Sequence, residues 1–177
     1  MNLKTRLENE HSKSLTLEII KYVGNDATRF RKLLDLVLGS DKIVSQRASW
    51  PFGYAAIEHP ELVKPYISKL IKKLAEPNNH PAITRSILRV FQEMDIPTKY
   101  WGTLVDLSFK FMMNESEPIA TRAFSITVAA RICKHYPELK NELLLILNDL
   151  RERPHAPAIS VRIKFALKEL KRLETKI

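Results

Sequence analysis

Four arginines recur along the chain at nearly even spacing, because Arg47, Arg85, Arg122 and Arg162 stand 38, 37 and 40 positions apart. Three of them follow a proline by four or five residues, in Pro81-Ala82-Ile83-Thr84-Arg85, Pro118-Ile119-Ala120-Thr121-Arg122 and Pro157-Ala158-Ile159-Ser160-Val161-Arg162. Arg47 sits in a related stretch, Ile43-Val44-Ser45-Gln46-Arg47-Ala48, that lacks the proline. A guanidinium is planar, always charged and carries five donors, so a series of them suits two kinds of chemistry. It can grip phosphates or carboxylates along one side of a repeating structure, or it can tie one repeat to a carboxylate or helix-end carbonyl of its neighbour. An arginine one turn into a helix faces the positive end of the dipole, at a cost of a few tenths of a kcal/mol, so a partner is expected to offset it.

The second chemical concentration is the basic carboxyl-terminal region, where residues 151–177 hold eight Lys and Arg against three Asp and Glu. Lys164, Lys168, Lys171 and Arg172 are its candidate binding residues, for an acidic protein or for nucleic acid, with a solvated helix face as the plainer reading. No aromatic series interleaves them, which gives single-strand recognition little support. Trp50, Phe52 and Tyr54 cluster beside Arg47, and Tyr100 with Trp101 precedes Asp106. Aromatic rings beside a carboxylate could line a cleft for an extruded base, whereas core packing asks for the same residues. The five histidines show no HExxH or paired ligand spacing, and a single cysteine, Cys133, excludes an internal disulfide. Cys133 lies in the most apolar segment, where a thiol behaves as a small hydrophobe. No nucleophile elbow, Walker loop or dinucleotide fingerprint occurs, so no catalytic residue, metal ligand or cofactor is assigned.

The elements that must position these residues are helical. Of 177 residues, 45% are hydrophobic and 28% charged, the composition of an ordinary globular chain, and the formal charge of +9 favours acidic partners. Only four glycines occur, too few for hairpin-rich β architecture. Apolar residues recur three and four apart, which predicts helices over Leu15–Val23, Ala27–Leu38, Lys42–Glu58, Pro60–Ala75, Pro81–Met94, Lys99–Met113, Pro118–Lys134, Glu138–Arg151 and Pro157–Leu173. Asn25-Asp26, Gly39, His59-Pro60 and Ile96-Pro97 punctuate them. Residues 1–14 read as an N-terminal segment, 15–39, 42–75, 81–113 and 118–151 as helical hairpins, and 157–175 as a C-terminal capping helix, all within one domain. Helix Pro118–Lys134 is apolar nearly all round and is expected in the middle of its neighbours.

A period near 40 residues with two helices per unit, carried by the repeated proline and arginine and by the twin links His59-Pro60-Glu61-Leu62 and Tyr136-Pro137-Glu138-Leu139, resembles the HEAT and armadillo class. The resemblance implies an all-α, right-handed solenoid of about four to five helical pairs. It implies a non-enzymatic scaffold that binds a macromolecular partner through a groove or basic edge, a protein first and nucleic acid second. A further likeness, in helical architecture and positive charge, is to the HEAT-like DNA alkylation-repair glycosylases, which would make the arginine series a phosphate grip. With no export signal and no apolar run of membrane-spanning length, a cytoplasmic protein is expected.

Overall fold

Side chains at the helix starts explain where the elements begin. Asp26 Oδ1 accepts from the backbone amides of Thr28 and Arg29, both at 2.9 Å, and Asp41 Oδ1 accepts from Ile43 at 3.1 Å and Val44 at 3.0 Å. Each satisfies donors that a helix leaves open in its first turn. The same bonds, with the Arg29 amide foremost, hold the Asp26 carboxyl below the usual carboxylate range. Ser12 Oγ caps the next element upstream by accepting from Leu15 at 3.0 Å.

The computed structural model describes residues 1–172, and the last residues expected in the final helix, Leu173 onward, lie outside them. Among the described residues every regular element is helical: α1 (Leu3–Asn9), α2 (Lys13–Val23), α3 (Ala27–Leu38), α4 (Lys42–Glu58), α5 (Pro60–Val63), α6 (Ile67–Ala75), α7 (Pro81–Glu93), α8 (Trp101–Met113), α9 (Ile119–Cys133), α10 (Pro137–Glu152) and α11 (Pro157–Arg172). The fold class is therefore all-α, as expected. Two compact units divide the chain, Met1–Asp95 and Ile96–Ile177.

In the first unit α4 is the hub, packing chiefly against α7 and α3 and also against α1 and α2. Its buried residues, Val44, Ala48, Phe52, Ala55 and Ala56 among them, form a broad face, while Ile43 and Tyr54 on the other side stay exposed. Phe52 meets Phe30 of α3 with ring centroids 5.9 Å apart. The helix runs on through Pro51, which is itself buried. Segment 1–14 is more ordered than its sequence suggests, because Leu3 and Leu7 are buried and fold it into α1. The helix expected over Pro60–Ala75 is interrupted by a 3₁₀ turn at Lys64–Tyr66. Pro65 lacks an amide proton and its ring crowds the preceding turn, which disfavours α-helical bonding at that point. Gly24 closes α2 at φ +46°, a backbone region that side chains disfavour. Gly39 ends α3 in an extended conformation instead, where an added Cβ would press within 3.3 Å of the Asp35 carbonyl.

In the second unit the hub is α9, which packs against α8, α11 and α10. Nine of its side chains are buried, including Ala123, Ile126, Val128, Ala129 and Ile132, in keeping with the all-round apolar pattern. Helix α11 sets Ile159, Ile163, Ala166 and Leu170 into the core and leaves Val161 and Phe165 exposed. A 3₁₀ turn at Thr98–Tyr100 precedes α8, so the α-helix begins at Trp101.

Candidate functional site

The repeated arginines stand at equivalent points of their helices and make different contacts. On α4, Arg47 Nη1 donates to the carbonyls of Leu7 at 2.8 Å and Glu8 at 2.9 Å. Those carbonyls belong to the last turn of α1, where no intrahelical donor reaches them and where the dipole favours a cation. On α9, Arg122 Nε donates to the Met112 carbonyl in the last turn of α8 at 3.1 Å. The Arg162 guanidinium of α11 lies 6.0 Å from the centre of the Phe124 ring, the outer reach of a cation–π contact. Arg85 on α7 is exposed and has no hydrogen-bond or ion-pair partner among the described residues.

The aromatic groups are engaged within their own units. Trp50 is half-buried and meets His11 edge-on, with centroids 5.7 Å apart. One turn further along α4, Tyr54 lies under the Arg89 guanidinium at 4.3 Å, and that cation, with the Trp50 indole adding, holds the Tyr54 hydroxyl below the usual tyrosine range. Trp101 donates from Nε1 to the Ile96 carbonyl at 2.6 Å and stacks on His135 at 5.2 Å.

Three of the sequence-selected lysines converge. Lys164, Lys168 and Lys171 line an open groove of about 800 Å³ where the end of α10 meets one face of α11. Arg151 and His155 add to its basic rim, Ser160 lies at one end, and Ile163 with Leu167 forms the apolar floor. Arg151 pairs with its neighbour Glu152 at 3.3 Å, while Lys164 and Lys168 have no carboxylate partner among the described residues. Arg172 closes α11, and its side chain lies outside the described set. The groove face was partly readable in sequence, since Ser160, Lys164, Leu167 and Lys171 follow one another at helical spacing. Arg151 and His155 carried no such signal, because only the fold brings the end of α10 beside α11.

Cys133 is 1% exposed, and burial, reinforced by the Glu142 charge, pushes its thiol up to about 12. A thiol so placed is protonated at neutral pH, the form that is poorly nucleophilic. No group of three or more His, Cys, Asp or Glu that could hold a metal ion occurs among the described residues, and no described helix is long and apolar enough to cross a membrane.

No curated protein and no solved structure matches the chain. A family model does, the HEAT repeat domain, over residues 3–170, which takes in both hub helices, all four arginines and most of the basic groove. The chain belongs to the HEAT repeat family.

Proposed function

We propose that the chain is a non-enzymatic, cytoplasmic repeat scaffold that holds a protein partner in the groove of α10 and α11. The observation that carries this reading is the pairing of a cationic rim, with Lys164, Lys168 and Lys171, and an apolar floor, Ile163 and Leu167, in one open groove. Repeat arrays offer rigid, extended surfaces on which partners dock without rearrangement of the scaffold. A rim of one charge sign steers and selects an oppositely charged partner, and the apolar floor supplies the burial that holds it.

Phosphate contact is the second reading, favoured by the formal charge of +9 and by the exposed Arg85. A photo-cross-linking residue at Ser160 separates the two when paired with titration of labelled duplex and single-stranded DNA at low and high salt. A protein adduct formed at Ser160 and absent from a control at exposed Lys32 of α3 is the expected result. DNA binding that falls steeply with salt, without a protein adduct, contradicts it in favour of the phosphate reading.

A further inference from the structure

We infer that the α10–α11 groove takes an acidic amphipathic helix, a deepening that rests on the scaffold reading above. Helix α11 packs on α9 and buries Ile159, Ile163, Ala166 and Leu170 along one stripe. Around its axis from that buried stripe comes the groove face of Ser160, Lys164, Leu167 and Lys171. These positions fall four, three and four apart and run for about 17 Å along the helix, three turns of continuous ledge. A ledge of this kind matches the ridge-and-groove packing of another helix and suits an extended strand poorly, because helix side chains offer ridges at the same spacing.

Charge fixes the partner's chemistry. Lys164 and Lys168 stand exposed at the rim with no carboxylate partner among the described residues. The bound helix therefore carries glutamates or aspartates on its flanks and leucine-like residues on the face that meets Leu167. A nucleic-acid backbone satisfies the lysines but offers nothing apolar to the floor, and the groove has no ring series on which bases could stack. The exposed pair Val161 and Phe165 on the adjacent face of α11 extends the apolar surface beyond the floor. This mode is helix-in-groove recognition, read by anchors at helical spacing.

The test uses the full chain and a labelled peptide of about 16 residues, with leucines at i, i+3, i+4 and i+7 and glutamates flanking them, followed by fluorescence anisotropy at physiological salt. Saturable binding is expected, weakened about tenfold or more in K164E/K168E and in L167D, and absent for the peptide whose glutamates are replaced by lysines. All three positions are exposed or half-buried, and thermal melts verify that each variant is folded. The inference is overturned if no saturable binding occurs, if a scrambled peptide of equal composition binds as tightly, or if duplex DNA displaces the peptide and binds L167D undiminished. It is also overturned if the protein sediments as a dimer that K168E dissolves, since a second copy then fills the groove. A protein adduct at Ser160 together with failure of the peptide leaves the scaffold reading standing and removes the helix, whereas failure of both removes both.

Discussion

The two units build their centres alike and finish their edges differently. In each, the hub helix carries the repeated arginine near its start, α4 with Arg47 and α9 with Arg122, and in each that arginine reaches a carbonyl left open at the end of another helix. In each, the next arginine of the series meets no helix end among the described residues: Arg85 is exposed, and Arg162 lies at the outer reach of contact with Phe124. One repeated residue type thus does two jobs, decided by whether the fold presents a helix carboxyl terminus to it. The edges diverge in what lies beside the second arginine. Helix α11 of the second unit carries the cation-rimmed groove, while α7 of the first packs on α4, where Ser86 lies at ordinary contact distance from Gly53.

The sharpest way to break this comparison is to delete the arginines one at a time. Arg47→Ala removes two charge-assisted bonds to the helix-end carbonyls of Leu7 and Glu8 and is expected to cost about 2 kcal/mol in denaturant unfolding. Arg122→Ala removes one such bond and costs about 1.5 kcal/mol, whereas Arg85→Ala stays within about 0.5 kcal/mol. If Arg85 proves as costly as Arg47, the division between tied and untied arginines is wrong.

Alkaline pH should strike the second unit through Cys133. Its folded thiol sits at about 12 against an ordinary 9.0, so the folded state keeps a proton that the unfolded chain gives up. The stabilisation is complete below pH 9 and is lost as pH rises toward 12, with a slope approaching 1.4 kcal/mol per pH unit, to be measured from about pH 8 to 10.5. Cys133→Ala should flatten that slope, and an unchanged slope in the variant would show that other groups titrate.

Two small gains sharpen the likeness of the hubs. Thr121 of α9 buries its hydroxyl without a hydrogen-bond partner among the described residues, so Thr121→Val is expected to stabilise by about 1 kcal/mol. Gly53→Ala in α4 adds a methyl at ordinary contact distance and helix propensity, a gain of about 0.5–1 kcal/mol. Differential scanning calorimetry reads both, and a loss at either position means the hub is packed more tightly there than its contacts indicate.

Where signals are local, the sequence was legible. Helices Ala27–Leu38 and Lys42–Glu58 begin and end as expected because Asp26, Asp41, Gly39 and His59 act within one turn of the boundary. Helix α1 escaped notice since seven residues with two buried leucines hold too little periodicity, and its order comes from packing on α4 and α3. The 3₁₀ turn at Pro65 was missed because the apolar spacing continues across it. Of the site, Lys164, Lys168 and Lys171 were visible as charge on one helix, but the groove depends on Arg151 and His155 arriving from another element. The roles of the four arginines were open for the same reason, since the carbonyls that Arg47 meets lie 39 and 40 residues away.

The most direct measurement of the groove's role is a ¹H–¹⁵N NMR titration of the full chain with the glutamate-flanked peptide. Shifts concentrated from Arg151 to Lys171, with α4 and α7 undisturbed, are the predicted result. Shifts centred on Arg47 and Arg85, or a spectrum that does not move, would contradict it.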